Sequence, residues 1–206
     1  MSWSVNVSTT VTVPVSARYI DEFLRLKCAP DLLRFFNKCQ HPAKEVTETF
    51  AAFRMVRKQL GSENFGRNDF TCIVPGDGAL PRTGATMAHL TRWEIISVDP
   101  ALKEEGENAF GVERLQCIKK RIQDCRLYSR PNLVVLAVHS HAPLQAALDI
   151  ASNWKEALVI AIPCCVPQAI QDREEYLKCK MSSTQDMGIF SQKNEVLTWK
   201  IIRASR

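Results

Sequence analysis

The chain has 206 residues and a formal net charge of +5, which suits one domain with a substantial core. Its 46% hydrophobic and 24% charged residues are typical of globular proteins, so a disordered chain and a fibrous repeat are excluded. The apolar runs are shorter than the ~18–20 residues of a membrane helix, and the first residues lack the features of a signal peptide. We therefore expect a cytoplasmic protein without a membrane partner, whose eight cysteines are reduced.

The chain is predicted to divide near residue 61. Residues 1–61 would form an extended arm and helices that pack on the core, and residues 62–206 would form the main domain. Between Val5 and Val15, valines alternate with polar residues, which is the period of an edge strand or an extended arm. Such an arm contacts either its own domain or a second subunit, so a homo-oligomer formed through the arm is one interpretation.

A helical pattern follows from Arg18 to Leu60 and predicts three helices. Pro30 and Pro42 are placed where a first helical turn accepts proline, and Gly61 ends the last helix. That last helix has a buried apolar face. Its charged residues are predicted to point mostly away from this face: Lys44, Glu45, Glu48, Arg54 and Lys58.

Short strands and helices then alternate, which is typical of a parallel sheet covered on both faces. The predicted strands are Phe70–Val74, Glu94–Val98, Leu115–Lys119, Leu133–Val138 and Ala157–Ile162, and the predicted helices are Pro81–Thr91 and Pro143–Asn153. Two final strands, Asp186–Ser191 and Glu195–Ile202, are separated by hairpin spacing. The predicted fold is therefore α/β and Rossmann-like, a mostly parallel sheet closed by a C-terminal antiparallel hairpin.

The first predicted strand ends in a turn that contains two glycines. The sequence Pro75-Gly76-Asp77-Gly78 lets the backbone turn sharply and leaves room for a ligand against it. Asp99, followed by Pro100, ends the next strand about 20 residues later, the separation at which an acid meets ribose hydroxyls in nucleoside-binding folds. An Asp-Pro pair that merely starts a turn is the alternative.

With these two elements, residues 69–202 resemble a class I S-adenosylmethionine-dependent methyltransferase domain. The Gly-Asp-Gly turn resembles the first motif of that family, and Asp99 its acidic second motif. The resemblance implies S-adenosylmethionine as the cofactor, held by residues 75–78, Asp99 and Pro100. It also implies that Asp124 lies near the adenine amino group and that the sheet ends in an antiparallel hairpin.

The glycine turn departs from the family pattern at one place. Leu80-Pro81 replaces the third glycine, and the dinucleotide pattern Gly-x-Gly-x-x-Gly fails there too. A dinucleotide needs that glycine because its pyrophosphate lies on the helix terminus, whereas S-adenosylmethionine has no phosphate. A nicotinamide-dependent enzyme is therefore disfavoured.

Two basic residues are candidates for substrate binding. Arg82 opens a predicted helix, where a cation opposes the helix dipole, so it needs an anionic partner. That partner is either a carboxylate of the chain (Asp77, Asp99, Glu45 or Glu48) or an anionic group of the substrate or cofactor. Lys44 has the place of the catalytic lysine of ribose 2′-O-methyltransferases. In those enzymes an aspartate follows the fourth strand, but here His139 has that place. The catalytic set is therefore not supported, and a solvated Lys44 is the simplest alternative.

The fourth strand is followed by His139-Ser-His141, where the resemblance places residues that face the methyl acceptor. Either histidine is a candidate general base, since imidazole titrates near neutral pH, and His139 also borders the predicted cofactor site. A cap or a wall of the pocket is the alternative role.

Cys164 and Cys165 follow the fifth strand at the same edge and resemble a Pro-Cys-Cys segment of some methyltransferase-like proteins. With the two histidines they offer four zinc ligands, but adjacent cysteines on a strand point in opposite directions. We therefore predict no metal, and we assign Cys164 to packing or to the substrate side of the site.

Two functions remain open at the level of the sequence. One is an S-adenosylmethionine-dependent methyltransferase, whose acceptor is predicted to be RNA because the chain is mildly basic. The other is a catalytically inactive protein of the same fold that works in binding or assembly. A well-formed pocket that stays empty, or one filled by Arg82 or Met87, would favour the second.

Overall fold

A computed structural model describes residues 17–163 and 181–203. The predicted arm and the predicted roles of Cys164 and Cys165 therefore lie outside the described residues. The five cysteines that the structure does describe are free. Within the described ranges, no helix combines the length and the apolar character needed to cross a membrane.

The first part of the described chain is helical, as predicted. It contains α1 (Arg18–Leu24), α2 (Ala29–Phe36) and α3 (Pro42–Leu60). Pro30 and Pro42 lie in the first turns of α2 and α3, and Gly61 ends α3 with a φ of +80°. Since proline has no N–H to donate and glycine tolerates positive φ, these residues fix the ends of the helices.

The described strands of the main sheet lie in the order β3-β4-β2-β1-β6-β8-β10-β9. The five neighbouring strands β4, β2, β1, β6 and β8 are parallel, whereas β3, β10 and β9 are antiparallel to their neighbours. The bounds are β1 Phe70–Pro75, β2 Glu94–Val98, β3 Gly106–Glu107, β4 Leu115–Ile118, β6 Asn132–Val138, β8 Glu156–Ile162, β9 Met181–Gln185 and β10 Glu195–Ile202. This architecture confirms the predicted fold class.

Both faces of the sheet are covered. Along β6, Val134 and Leu136 pack in the core that contains α1 to α3 and α4 (Arg82–Leu90), while Val135 and Ala137 pack in the core under α5 (Leu144–Asp149). Successive residues of a strand point to opposite faces, so an apolar run such as this one is buried on both sides. The helices before residue 61 therefore share a core with the sheet.

The first strand of the closing hairpin is not where the sequence predicted it. We expected Asp186–Ser191, but β9 is Met181–Gln185 and the following residues form the turn. The Asp186 carboxylate accepts hydrogen bonds from Arg18, Tyr19 and the backbone N–H of Gly188. These bonds fasten the turn to α1. Ile189 is buried in the core that contains α1 to α3, whereas Met187 and Phe190 are exposed.

The predicted helix Pro143–Asn153 is also too long. Helix α5 ends at Asp149, and Ala151–Ser152 (β7) then pairs in parallel with Leu127–Tyr128 (β5). Asn153, directly after β7, has a φ of +66°, which does not fit the interior of a helix. Small pairings of this kind have too little hydrophobic periodicity to be read from the sequence.

Replacing Phe50 by alanine tests whether the helices and the sheet unfold together. Phe50 is buried in α3, with ring contacts to Phe23 and Phe53. We expect Phe50→Ala to lower the free energy of unfolding by about 3–5 kcal/mol because it leaves a cavity. Urea denaturation, followed by both circular dichroism and tryptophan fluorescence, should show one common transition.

Leu33→Ala is the matched control, since this leucine is 42% exposed. It should change the free energy of unfolding by no more than about 0.5 kcal/mol. Two separate transitions, one from the helices and one from the sheet, would contradict the shared core.

Candidate functional site

The order of the strands reverses at β1. The chain passes from β1 to β2 and β4 on one side and returns to β6 on the other. Such a reversal opens a crevice at the carboxyl ends of the strands, where open α/β sheets bind ligands. A cavity of about 460 Å³ lies there, and we call it the edge cavity. It is lined by Gly76 after β1, Asp99 after β2, residues 121–123 after β4, and His139 and His141 after β6.

The glycine turn after β1 brings the ends of three strands together. Gly76 and Gly78 have φ values of +69° and +79°. A Cβ at Gly76 would overlap the hydroxyl oxygen of Ser140, so the end of β6 occupies the space beside this glycine. The N–H of Gly76 donates to the carbonyl of Val98 at 2.8 Å, which ties the turn to β2. Glycine is therefore required here for both its backbone angle and its size.

Asp99 faces the glycine turn and lines the edge cavity. Its Oδ2 accepts from the N–H of Gly78 at 2.9 Å, and its Oδ1 accepts from the N–H of Ala101 at 2.7 Å. A carboxylate offers about four acceptor positions on its two oxygens. Each oxygen of Asp99 therefore keeps capacity for a further donor, and the half-buried side chain presents that capacity beside exposed Pro100.

Asp77 has a different role from Asp99. Its oxygens accept from the N–H groups of Thr83 at 3.0 Å and Gly84 at 2.9 Å, in the first turn of α4, and from the hydroxyl of Ser97. Burial raises the pKa of Asp77 to about 6, although these hydrogen bonds and the charge of Arg82 oppose the shift. The sequence grouped Asp77 with the cofactor-binding residues, whereas the structure directs its side chain to the helix.

Arg82 finds its anionic partner within the chain. Its Nε lies 3.2 Å from Glu45 Oε2, and both side chains are partly exposed. Of the partners that the sequence left open, the structure selects Glu45, which joins α4 to α3. Arg82 is not among the described residues that line the edge cavity. Its predicted contact with a substrate therefore gains no support from its position.

His139 contacts a buried acid that the sequence did not place in the site. Its Nε2 lies 2.8 Å from Glu48 Oε1, and Lys44 Nζ lies 3.6 Å from the same oxygen. Glu48 was predicted to point away from the apolar face of α3, but it is only 1% exposed. A buried carboxylate needs such partners, and here His139 and Lys44 provide them. Lys44 is thus only partly exposed rather than simply solvated.

The two histidines differ in their surroundings. His139 has a φ of +49°, which is uncommon for a residue other than glycine and concentrates at functional sites. Its N–H donates to the carbonyl of Ile162 at 2.9 Å, so β8 also holds it. His141 lines the same cavity but is exposed. His139 is therefore held by β8 through its backbone and by α3 through Glu48.

Asp124 does not line the edge cavity. It lies in the turn after β4 and is exposed toward a separate depression that Asp149 also lines, whereas Arg121, Ile122 and Gln123 face the edge cavity. The sequence located this turn but not which of its residues point inward. Among the described residues, no group of side chains is arranged to hold a metal ion.

No protein-family model matches the sequence, and no curated protein matches it significantly. The chain is similar to the solved structure of a point mutant of MtNAS in complex with S-adenosylmethionine, with a TM-score of 0.48, 11% identity, and coverage of 90% of this chain and 70% of the other.

Two further similar structures are methyltransferases. Magnesium protoporphyrin IX methyltransferase from Synechocystis, with bound SAM, has a TM-score of 0.48, 10% identity, and coverage of 95% of this chain and 100% of that chain. The plantazolicin methyltransferase BpumL, in complex with SAH, has a TM-score of 0.42, 10% identity, and coverage of 91% and 95%. The strand order and the closing hairpin, rather than these likenesses, carry the assignment of a Rossmann-like fold.

The burial of Asp77 gives a pH dependence that can be measured. Its folded pKa of about 6 lies above the value of ~3.9 in an unfolded chain. Between these values the folded protein keeps a proton that the unfolded chain has released, so stability falls as pH rises. Relative to Asp77→Asn, the native protein should lose stability from about pH 4 to about pH 6 and then level off.

Urea denaturation of both proteins across this pH range measures the difference. Asp124→Asn serves as the control, because Asp124 is exposed and should leave the slope unchanged. If the native protein instead gains stability relative to Asp77→Asn as pH rises, the hydrogen bonds to Asp77 outweigh its burial.

Proposed function

We propose that this protein is an S-adenosylmethionine-dependent methyltransferase and that the edge cavity binds the cofactor. The observation that carries the proposal is the position of Asp99, whose carboxylate is held by the backbone of Gly78 and still has acceptor capacity toward the cavity. Such a carboxylate accepts hydrogen bonds from two adjacent ribose hydroxyls.

The edge cavity fits a nucleoside ligand in size and lining. Its volume of about 460 Å³ lies within the ~300–1,000 Å³ that is usual for small-molecule sites. Val98 and Ile122 are buried apolar residues at its wall, which suits a purine ring, while Gln123 offers an amide at the surface. Ile122 and Gln123, rather than Asp124, are the residues that we assign to the base.

The same site disfavours a dinucleotide. In dinucleotide-binding folds, the pyrophosphate accepts hydrogen bonds from N–H groups at the start of the helix after β1. Here the N–H groups of Thr83 and Gly84 already donate to Asp77. A pyrophosphate would have to displace a buried carboxylate, and two anions would then share one helix terminus. A cofactor without phosphates avoids this conflict.

The residues of the chain then have distinct tasks. Gly76 keeps the backbone bare beside the cofactor, and Asp99 orients the ribose. When bound, S-adenosylmethionine supplies an electrophilic methyl group on sulfur. Transfer to a nucleophile depends mainly on alignment, and a rigid rim provides this alignment. His139, held by Glu48 on α3, stands at the rim where a proton of the acceptor would be taken up.

The acceptor and the alternative function need separate treatment. RNA stays a prediction that rests on the net charge of +5. A cavity filled by Arg82 or Met87 would favour an inactive binding protein. Met87 is buried in the core instead, and neither residue is among the described residues that line the cavity. We therefore retain the enzymatic proposal.

Calorimetric titration with S-adenosylmethionine tests this proposal. The native protein should bind, and Asp99→Ala should bind at least about tenfold more weakly, because it loses hydrogen bonds to a charged group. Asp99→Asn keeps one oxygen and should fall between the two. Asp124→Ala should bind like the native protein, since Asp124 lies outside the cavity.

Two results would count against the proposal. Absence of binding by the folded native protein would remove the cofactor, and an Asp124→Ala variant as weak as Asp99→Ala would place the nucleoside elsewhere. Thermal stabilisation by NAD but not by S-adenosylmethionine would support a dinucleotide enzyme instead.

A further inference from the structure

A second cavity adjoins the edge cavity, and His139 lines both. We call it the outer cavity, which has a volume of about 790 Å³. The start of α3 forms one wall, with His41 and Lys44, and the turn between β9 and β10 forms the other, with Phe190 and Lys193. Its volume is that of a small-molecule site.

The charges on these walls favour an anion. The described residues that line the outer cavity include two lysines, Lys44 and Lys193, and two histidines, but no acid. Glu48 lies below the surface, 3.6 Å from Lys44, and is not among the described residues that line the cavity. A carboxylate that enters would therefore meet cations without facing an acidic side chain among the described lining residues.

The outer cavity also has an apolar side. Phe190 is 40% exposed there, beside the aliphatic surface of Pro42 and Ala43. An exposed aromatic ring packs well against another flat ring. Together with the cationic wall, this surface suits a small aromatic acid better than a highly charged polymer.

The contact between His139 and Glu48 gives this cavity a proton acceptor. Glu48 Oε1 lies 2.8 Å from Nε2, so its negative charge stabilises the imidazolium that forms when His139 accepts a proton. A hydroxyl group needs such help, because its oxygen becomes a strong nucleophile only as the proton leaves.

We propose that the outer cavity binds the methyl acceptor and that the acceptor is a small aromatic carboxylate with a hydroxyl group. Its carboxylate would contact Lys44, and its hydroxyl would face His139. This identification of the ligand as the acceptor rests on the proposed function, whereas binding of the carboxylate does not.

The transfer balances without a further reactant. The oxygen of the acceptor forms a bond to the methyl carbon, and its O–H bond breaks with the proton passing to the imidazole of His139. The bond between the methyl carbon and sulfur breaks, and its electron pair stays on sulfur. The products are a methyl ether and S-adenosylhomocysteine, and the proton on His139 returns to solvent.

Binding is tested first, without S-adenosylmethionine. Hydroxybenzoates and hydroxyphenylacetates are titrated into the full chain by calorimetry, each beside its neutral carboxamide. At least one carboxylate should bind about tenfold more tightly than its amide, and Lys44→Met should abolish that preference. Lys58→Met is the control, because Lys58 is exposed farther along α3 and does not line this cavity.

Turnover is tested next, from the S-adenosylhomocysteine that forms with the best carboxylate. Lys44→Met should raise KM with little change in kcat, and His139→Gln should lower kcat about 100-fold or more. Glu48→Gln addresses the positioning role of Glu48, since it preserves shape but removes the charge. Circular dichroism confirms that each variant is folded.

The pH profile separates positioning from a structural role. Without the charge of Glu48, the imidazolium is less favoured, so the acidic limb of the kcat profile should move about 1 pH unit lower in Glu48→Gln. A loss of activity at an unchanged pH midpoint would contradict this role. Glu48 contacts His139 directly. The other titratable and charged groups around His139 line the two cavities: His41, Lys44, Asp99, Arg121, His141 and Lys193.

The results also separate the two proposals. Binding of S-adenosylmethionine without preference for any carboxylate would overturn the acceptor proposal and leave the cofactor site. Carboxylate binding without S-adenosylmethionine binding would overturn the methyltransferase. Single-stranded RNA that binds and loses affinity in Lys44→Met, while no carboxylate binds, would assign the outer cavity to RNA.

Discussion

The reversal of strand order at β1 is the constraint on which the site depends. Since β2 and β6 flank β1 on opposite sides, the chain segments that leave all three strands meet at one edge. Gly76 permits this meeting because a side chain there would overlap Ser140. The hydrogen bond from Gly76 to Val98 then sets the distance between the turn and β2. The edge cavity lies directly outside this junction, beside Gly76 and Val98.

Two aspartates near the glycine turn have different surroundings. Asp77 is buried and spends its acceptor capacity on α4 and Ser97, so it fixes the helix to the end of β1. Asp99 is half-buried and retains acceptor capacity toward the cavity. Because Asp77 occupies the N–H groups of the helix terminus, this terminus has no strong attraction for phosphate, in agreement with the proposal of a cofactor without phosphates.

Local pattern was enough to predict most of the fold and part of the site. The strands that line the edge cavity and the glycine turn follow from periodicity and from the conformational freedom of glycine. Glu48 was not predictable in this way, since its burial depends on His139, which is distant in the sequence. The turn at Asp186 was predicted as a strand for the same reason, because the hydrogen-bond partners of Asp186 lie on α1. Side-chain partners across the fold leave no periodic signal.

His139 connects the two halves of the site through its backbone. Its left-handed conformation costs free energy, of order 1–3 kcal/mol for a residue other than glycine, and persists only where surrounding contacts enforce it. The contacts are the hydrogen bond to Ile162 on β8 and the side-chain contact with Glu48 on α3. Together they place one imidazole on the boundary between the edge cavity and the outer cavity. A helix that precedes the sheet in the chain thereby helps to position an imidazole at the edge of the sheet.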